Sequence, residues 1–379
     1  MQRGLIAEID LTSLVHNLSI VRSLAGSSKV IAVVKADAYG HGAVEVSRTL
    51  TKNAVDMLAV AYCSEAILLR ENGISTPIIS LFDAEPEEIL RHNITPVLSN
   101  IKQAHSINRA ASKADIKLKV HLKVDTGMGR TGFQAEDYKD MFSLFGLSNI
   151  EIEGIMSHFS EADLADKDFA YYQIGQMVTL KKRLSEEGIN VRLWHISNSA
   201  AVISIPEANL DAVRPGLMLY GCSPFADVTH PSNALKASSS NLRPVMSVCT
   251  KILQVRRVRA GRYISYGRTF MTKRDSLIAV LPVGYADGIN RLFSNNLEVL
   301  VSGKRAPVVG RVCMDTTMID VTDIGNISEG SAVVILGSQA GETITAHELA
   351  SRINTIPYEI LTTLGSHARR GNLLSCLLS

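Results

Sequence analysis

The feature that most constrains the fold is the apolar run 30–34, which leads directly into Lys35 and then into a turn bracketed by Gly40 and Gly42. Every residue of the run is apolar, so both faces can be buried, which is typical of a strand in a parallel sheet. Lys35 would then lie at the carboxyl end of a buried strand, where α/β folds place their chemistry. Most lysines at strand ends are solvated surface residues. A lysine against an apolar wall, however, loses solvation, so its pKa falls and its amine becomes a nucleophile or base, suited to a Schiff base with a carbonyl cofactor.

Strand-like runs recur after this first one and alternate with segments of helical periodicity. The predicted strands are 30–35, 57–62, 77–82, 96–98, 118–124, 152–157, 191–196 and 212–214. Eight such strands over about 200 residues predict a (β/α)₈ barrel of the TIM type. The alternative is an open doubly wound sheet, which would normally carry an early Gly-x-Gly-x-x-Gly motif, and this chain has none after its first strand.

The pattern changes between residues 225 and 244, where proline, serine and asparagine predict a linker. Beyond it, strand-like segments follow one another closely, which is typical of a β domain. The predicted strands there are 246–258, 277–282, 297–301, 306–312, 318–321 and 332–336, followed by a helix over 346–353. We therefore predict a barrel domain over 1–238 and a mainly β C-terminal domain over 239–379.

Composition excludes several classes of protein. The net charge is +2 with both signs dispersed, so no basic stripe indicates nucleic acid and no polybasic tail indicates a membrane surface. Glu8 and Asp10 interrupt the segment where a signal peptide needs an apolar block, and no apolar run approaches the roughly 20 residues of a membrane span. The five cysteines are scattered without metal-site spacing. These observations predict a cytoplasmic protein with reduced thiols, a small-molecule substrate and no metal.

Polar residues recur at the carboxyl ends of the predicted barrel strands. They are Lys35, Lys123, Arg130, His158, His195, Asn198, Ser199, Arg214 and Gly216. Each residue alone is weak evidence for a functional site, since a lone histidine is usually structural. Several such residues at the same end of successive strands, however, predict one site on one face of the barrel. Ser199 offers a hydroxyl, and Gly216 and Leu217 offer backbone N–H groups, where this fold commonly binds a phosphate. The plain alternative is a serine cap followed by a glycine turn.

The string from Lys35 to Gly42, Lys-Ala-Asp-Ala-Tyr-Gly-His-Gly, resembles the pyridoxal-phosphate (PLP) attachment motif of the alanine racemase family. The resemblance implies that Lys35 carries PLP as a Schiff base. It also implies that Tyr39 binds the cofactor phosphate together with Ser199, Gly216 and Leu217. His158 and Tyr358 are further cofactor-site candidates, Tyr358 being similar to a tyrosine that narrows the family's entrance. The resemblance extends from Glu8 to about residue 364 and departs from the family pattern over 366–370.

Arg214 is the most informative residue for mechanism, because the resemblance implies that it faces the pyridine nitrogen. Arginine donates hydrogen bonds and does not accept them, so the ring nitrogen would remain unprotonated. Such a ring is a poorer electron sink than a pyridinium, which suppresses transamination and suits racemisation. Arg130 resembles the family residue near the cofactor phenolate and the substrate carboxylate, for which a guanidinium is suited. Lys123 resembles a lysine that is often carbamylated, and the carbamate would pair with Arg130.

Inversion at a stereocentre is simplest with one base on each face, and Lys35 would supply one of them. The string 264–270 closely matches the family's catalytic tyrosine motif and names Tyr266 as the second. A tyrosine ordinarily titrates near pH 10, so lowering its pKa to 7 needs roughly 4 kcal/mol, part of which Arg214 and a hydrogen bond from His158 could provide.

Two further residues, Tyr285 and Met314, lie in strings that contact the substrate carboxylate in the family. In the family these β-domain residues reach the barrel of the other subunit, which implies a homodimer with shared sites. The resemblance as a whole implies an alanine racemase that supplies D-alanine for peptidoglycan.

Three alternatives stay open at this stage. A broad-specificity or serine racemase could share every motif. A PLP amino-acid decarboxylase of the same architecture would pair the pyridine nitrogen with a carboxylate, whereas the matching position here is Arg214. A non-catalytic PLP-binding barrel would lack the second domain and Tyr266.

Overall fold

The computed structural model describes residues 4–134, 138–225 and 241–371. These residues form two compact units. The first comprises Thr12–Ala38 and Ala43–Arg243, and the second comprises the residues up to Leu11, Tyr39–Gly42 and the chain from Pro244 onward. The predicted boundary between residues 238 and 239 lies outside the described residues, as does most of the predicted linker, so both stay predictions.

The first unit is a parallel barrel, as the sequence predicts. After β1 (Ile6–Ile9), which belongs to the second unit, its strands are β2 (Lys29–Val33), β3 (Met57–Val60), β4 (Ile78–Ser80), β5 (Thr95–Leu98), β6 (Leu118–Asp125), β7 (Phe133–Gln134), β8 (Ile150–Met156), β9 (Leu193–His195) and β10 (Ala212–Val213). The hydrogen-bonded order is β10-β2-β3-β4-β5-β6-β8-β9, with the short β7 paired to β6. Between β9 and β10, Asp211 N donates to Trp194 O and Arg214 N to Ser197 O, at 3.0 and 2.9 Å, so the barrel is nearly closed.

Helices connect these strands. They are Leu11–Ala25, Ala43–Lys52, Cys63–Glu71, Pro86–His92, Ile101–Lys113, Tyr138–Ser143, Asp168–Glu186 and Ser199–Ser204. The helix Ile101–Lys113 begins where the Asn100 side chain accepts a hydrogen bond from Gln103 N, which satisfies one of the free N–H groups of the first turn. Its buried residues Ala104, Ile107 and Ala111 follow at helical spacing. Truncating Ile107 to alanine would cost about 2–5 kcal/mol, because the side chain is fully enclosed.

The first strand, β2, confirms that both faces of the apolar run are buried. Val30, Ile31 and Ala32 are all at most 2% exposed although successive side chains point to opposite faces. The strand ends at Val33, two residues earlier than predicted, because Lys35 already belongs to the following turn.

The second unit is mainly β, as predicted. Its strands are β1, β11 (Met246–Lys251), β12 (Gln254–Val258), β13 (Tyr263–Ile264), β14 (Phe270–Met271), β15 (Ser276–Leu281), β16 (Glu298–Val301), β17 (Lys304–Pro307), β18 (Thr317–Asp320), β19 (Ala332–Gln339), β20 (Glu342–Ile344) and β21 (Arg369–Arg370). The largest sheet has the order β17-β16-β19-β11-β1-β21, with β20 paired to β19. A second sheet has the order β12-β15-β18, and β13 and β14 form a hairpin.

The strand expected over 306–312 ends at Pro307, and two larger features of this unit also differ from the prediction. The single strand expected over 246–258 is divided into β11 and β12, which belong to different sheets. The chain also forms a helix over Pro357–His367 after the expected one at Ala346–Arg352. That second helix starts with Pro357 in its first turn, where the missing N–H of proline costs nothing.

Cys63, Cys222 and Cys313 are reduced cysteines, whereas Cys249 on β11 is disulfide-bonded. The prediction of reduced thiols is therefore confirmed for three cysteines and wrong for Cys249. Within residues 4–134, 138–225 and 241–371, no helix has both the length and the apolar character to span a membrane. The same residues contain no group of three or more His, Cys, Asp or Glu side chains arranged to hold a metal ion.

Candidate active site

The backbone after Lys35 is left-handed. Four consecutive residues, Ala36 to Tyr39, have φ between +51° and +55° although none is glycine. This conformation costs L-residues roughly 1–2 kcal/mol each, so the surrounding structure must hold it. Backbone strain of this kind concentrates at functional sites, and here it directly follows the predicted cofactor lysine.

Two carboxylates hold this turn. Glu65 accepts a hydrogen bond from Ala36 N at 2.6 Å through one oxygen and from Ala61 N at 2.7 Å through the other. Asp37 accepts from Ala43 N at 2.7 Å, where the next helix begins. The turn that the sequence predicts from its glycines is thus built largely from side-chain acceptors, of which Glu65 was not anticipated.

Tyr39 ends the left-handed turn and belongs to the second unit with Tyr358. Their ring centroids lie 5.9 Å apart. Burial, reinforced by Tyr358, raises the pKa of Tyr39, so its hydroxyl keeps its hydrogen and can donate it to an anion. Gly40 follows with φ of +82°, and a Cβ there would lie 2.6 Å from Leu361 O, so only glycine fits this position.

Three cationic side chains of the barrel surround the ring of Phe82. Lys35 Nζ lies 5.9 Å, Lys123 Nζ 5.8 Å and the Arg130 guanidinium carbon 5.3 Å from the ring centroid. Cation–π contacts at such distances attract each cation to the ring face. The Phe82 ring therefore partly offsets the repulsion among Lys35, Lys123 and Arg130, which lie close together away from bulk water.

Burial changes the protonation of both lysines. Desolvation, followed by the positive charge of Arg130, lowers the pKa of Lys35. Desolvation, Arg130 and Arg214 lower the pKa of Lys123 to about 8. Both amines therefore have a larger uncharged fraction near neutral pH than a surface lysine, and an uncharged amine can act as nucleophile or base.

The loop after β6 places Arg130. The Asp125 carboxylate accepts hydrogen bonds from the backbone N–H groups of Gly127, Gly129 and Arg130, at 3.0, 3.1 and 3.2 Å. Burial opposes ionisation of Asp125, but these hydrogen bonds outweigh it and lower the pKa of the carboxyl group. The Asp125 carboxylate thus fixes the backbone of this loop up to Arg130, whose guanidinium lies over the ring of Phe82.

Arg214 is buried and held by hydrogen bonds that it donates. Nη1 donates to His195 Nδ1 at 2.8 Å, and Nη2 contacts His158 Nδ1 at 3.1 Å and the carbonyl oxygens of Ser157 and Ile196 at 2.6 and 3.2 Å. Because arginine has no acceptor atom, each Nδ1 must be the acceptor, and each neutral imidazole then carries its hydrogen on Nε2.

Four of the cationic side chains predicted at the carboxyl ends of the strands act on His158, and Arg214 contacts it directly. Burial, then the positive charges of Arg214, Arg130, Lys123 and Lys35, lower the pKa of His158 well below its usual range. Four cations thus act on one imidazole in a single region of the barrel. Their side chains would suit a ligand that carries several negative charges.

Ser199 and the turn after β10 also come together. Ser199 Oγ accepts hydrogen bonds from Gly216 N at 3.0 Å and Met218 N at 3.3 Å, so its own hydrogen is left to donate. Leu217 opens the 3-10 turn Leu217–Tyr220 and is buried. The side chain of Asn198 caps the helix Ser199–Ser204.

Tyr266, Tyr285 and Met314 belong to the second unit and are exposed, at 70%, 43% and 53%. Tyr266 follows Ser265, whose φ is +64° and whose hydroxyl donates to Arg311 O at 2.6 Å. Tyr285 N donates to Cys313 O at 3.0 Å, which joins the segments of Tyr285 and Met314.

Sequence reasoning missed His121 and Phe82. His121 lies two residues before Lys123 on β6, so both side chains point to the same face of the strand. That spacing is a signal from which His121 could have been predicted. Phe82 lies two residues beyond β4 and has no comparable signal, because only the folded barrel places three cations around it.

The comparisons with known proteins agree with this geometry. Residues 9–224 match the family model "Alanine racemase, N-terminal domain", and residues 245–371 match "Alanine racemase, C-terminal domain". The chain is 46% identical over 374 residues to the alanine racemase of Thermodesulfovibrio yellowstonii, covering 98% of each. It is 38% identical to the solved alanine racemase of Clostridium difficile, with a TM-score of 0.87, covering 96% of this chain and 94% of that one. It is 28% identical to the Bartonella henselae alanine racemase solved with covalently bound pyridoxal phosphate, with a TM-score of 0.85, covering 98% of this chain and 100% of that one. The chain therefore belongs to the alanine racemase family.

Proposed function

We propose that the chain is an alanine racemase that interconverts L-alanine and D-alanine with PLP bound covalently to Lys35. The observation that carries this proposal is geometric: Lys35, Lys123 and Arg130 converge on the ring of Phe82 in the barrel, and Arg214 contacts His158 there. The relative from Bartonella henselae, which holds PLP covalently, supports the same cofactor here. Supply of D-alanine for peptidoglycan would be the corresponding cellular role.

The donor set fits PLP. The cofactor is an aldehyde with an anionic phosphate and an acidic ring hydroxyl, and it needs an amine, several cations and phosphate donors. Lys35 supplies an amine whose pKa is lowered by burial and by Arg130. Ser199, Leu217 and Tyr39 are the proposed phosphate ligands, and Gly216 would join them through the N–H that donates to Ser199 Oγ in this structure. When bound, PLP supplies the electron sink that makes the Cα hydrogen of an amino acid acidic.

Arg214 would control the strength of that sink. Its hydrogen bonds to His195 and to the carbonyl of Ser157 fix the plane of the guanidinium. Facing the pyridine nitrogen, Arg214 would donate a hydrogen bond and leave that nitrogen unprotonated. This arrangement favours proton exchange at Cα alone and disfavours both transamination and the carboxylate-paired chemistry of a decarboxylase.

Two bases would act on opposite faces of the substrate. Lys35 is the base on one face. We assign Tyr266 of the partner subunit as the base on the other face, which makes the enzyme a homodimer with shared sites. His158 accepts from Arg214 at Nδ1, so its Nε2 hydrogen is available to the phenolic oxygen of Tyr266 and would favour the phenolate.

Substrate binding would use groups from two subunits. Arg130 would bind the substrate carboxylate, together with Tyr285 and Met314 of the partner subunit. We further propose that Lys123 is carbamylated by CO₂. Its pKa of about 8 leaves a substantial uncharged amine to react, and the carbamate would supply the anion that Arg130 otherwise lacks.

A racemase assay across a panel of L-amino acids tests the function. We expect L-alanine to be converted to an equal mixture of enantiomers with the highest kcat/KM of the panel. Comparable rates with L-serine and several others would identify a broad-specificity or serine racemase. Release of CO₂ and an amine would identify a decarboxylase and contradict the proposal.

A further inference from the structure

A line of buried polar side chains leads from Arg214 into the interior of the barrel. Arg214 Nη1 contacts His195 Nδ1 at 2.8 Å, and His195 Nε2 contacts His121 Nδ1 at 2.9 Å. His121 Nε2 then lies 3.8 Å from Glu153 Oε2. Both histidines are 0% exposed and Glu153 is 6% exposed. The proposed reaction assigns no task to His121 or Glu153.

The hydrogens along this line can point in one direction only. Burial, then the charge of Arg214, lowers the pKa of His195 well below its usual range, and burial also lowers that of His121, so each ring stays neutral with a single N–H. Arg214 can only donate, so His195 Nδ1 accepts and its Nε2 carries the hydrogen. His195 Nε2 must then donate to His121 Nδ1, which places the His121 hydrogen on Nε2, toward Glu153.

Glu153 imposes the same direction from the other end. The nearby imidazole of His121 and the hydrogen bond from Lys119 outweigh the effect of burial and lower the pKa of Glu153 to about 2, so the carboxylate is ionised and can only accept. Among the described residues, His121 Nε2 has no hydrogen-bond partner. The 3.8 Å separation is longer than a hydrogen bond, so the neutral His121 ring faces the Glu153 carboxylate with its Nε2 hydrogen directed toward it.

The position of the His121 ring is built into the neighbouring strand. Gly154, next to Glu153 on β8, faces it, and a Cβ at that position would lie 2.7 Å from the imidazole atoms Cε1 and Nδ1. A glycine inside a strand weakens it and marks a close approach of another group. That group is here the imidazole that links His195 to Glu153.

We propose that Glu153 is a positioning residue for Arg214, acting through His121 and His195 to set the direction of the hydrogen bonds and to hold the guanidinium toward the cofactor ring. The proposal rests on the proposed function in that Arg214 must face the pyridine nitrogen. A carboxylate behind an imidazole orients the ring and makes its far nitrogen a better acceptor. Two imidazoles in series would extend this effect from Glu153 to Arg214.

A simpler role for Glu153 is to neutralise Lys119 and Arg192. Lys119 Nζ lies 3.0 Å from the carboxylate, and Arg192 also pairs with it. These partners are 48% and 66% exposed, and ion pairs to exposed partners contribute little. The two roles are separable, because Lys119 and Arg192 can be removed without touching His121.

The test compares Glu153→Gln with a control that carries both Lys119→Gln and Arg192→Gln, each as holoenzyme. We expect Glu153→Gln to lower kcat for alanine by roughly 10- to 100-fold, the range found for residues that orient a functional group through another. KM should stay within about twofold because the substrate ligands are untouched. The cofactor absorbance of Glu153→Gln should shift in the same direction as that of Arg214→Lys, measured alongside it. The control should keep the wild-type kcat and absorbance.

A double-mutant cycle then asks whether Glu153 acts through Arg214. In the Arg214→Lys background, which lacks the guanidinium fork, Glu153→Gln should have little further effect on kcat or on absorbance. Additive losses would overturn the proposal. So would an unchanged Glu153→Gln holoenzyme, or a control with the same loss as Glu153→Gln.

A second measurement needs no variant of Glu153 and no turnover. In wild-type holoenzyme labelled with ¹⁵N-histidine, His121 and His195, assigned by substituting each in turn, should both be neutral with the hydrogen on Nε2. A hydrogen on Nδ1, or a doubly protonated ring, would overturn the proposal even where Glu153→Gln fails to fold. If the wild-type protein does not racemise alanine, the proposed function fails, whereas this spectrum still decides the direction of the hydrogen bonds.

Discussion

The two units of the chain carry their proposed site residues in opposite ways. In the barrel, Lys123 and Arg214 are almost fully buried. Arg214 is held by the hydrogen bonds that it donates, and the loop that carries Arg130 is held by the Asp125 carboxylate. In the second unit, Tyr266 is 70% exposed and is placed by its backbone, through the left-handed Ser265. The difference teaches that burial and hydrogen bonds preorganise the proposed site residues of the barrel, whereas Tyr266 is exposed, as expected of a residue proposed to act on a partner subunit. Each prediction below tests that contrast.

The largest effect is expected from Lys35→Ala. Removing both the covalent anchor and one base should lower racemase activity by at least roughly 10⁴-fold, since covalent binding and acid–base catalysis are lost together. Lys29→Ala is the matched control, because Lys29 is exposed at the start of the same strand. Borohydride reduction and peptide mapping of the wild-type protein should place the cofactor on Lys35. A label on another lysine would contradict the assignment.

The second largest effect is expected from Tyr266→Phe. Its kcat should fall by roughly 10²–10⁴-fold, the usual contribution of one general acid or base. Because the side chain is exposed in its own unit, the free energy of unfolding should barely change. Tyr263→Phe provides the control, since Tyr263 is also exposed, on the neighbouring β13. Full activity in Tyr266→Phe would remove the second base from the mechanism.

Mixing two variants that are each expected to be inactive, Lys35→Ala and Tyr266→Ala, tests whether the site is shared between subunits. If Lys35→Ala and Tyr266→Ala subunits re-associate at random, about half the dimers are mixed, and each has one site with both bases and one with neither. About one quarter of wild-type activity should return on this symmetry argument. Confirmed subunit exchange without recovery would show that Lys35 and Tyr266 act within one subunit.

The smallest effect concerns Lys123 in its unmodified form. Its pKa is about 8 in the folded protein, below the ordinary 10.5, so between these pH values the unfolded chain binds the additional proton. The stability of the unmodified protein should therefore rise from about pH 8 to pH 10.5, relative to Lys123→Met. Thermal unfolding in CO₂-free buffer measures the difference. Carbamylation predicts that adding bicarbonate removes this pH dependence, whereas a difference unaffected by bicarbonate would argue against a carbamate.

The sequence by itself determined the architecture and named most residues of the candidate site. Apolar runs of strand length, alternating with helical periodicity, are local patterns, so the barrel and the β unit could be predicted from them. Lys35, Arg130 and Arg214 could also be predicted, because the carboxyl ends of parallel strands meet on one face of a barrel whatever the details of packing.

Only the tertiary structure decided the environment of those residues. Phe82, Glu65 and Glu153 each meet partners that are distant in the sequence, such as Ala36, 29 residues from Glu65, and Arg130, 48 residues from Phe82. The left-handed turn after Lys35 runs against local backbone preference and exists because Glu65 and Asp37 accept its neighbouring N–H groups. The lowered pKa of Lys123 likewise depends on burial beside Arg130 and Arg214. Desolvation and charge coupling depend on distances in space, and a sequence specifies those only after it has folded.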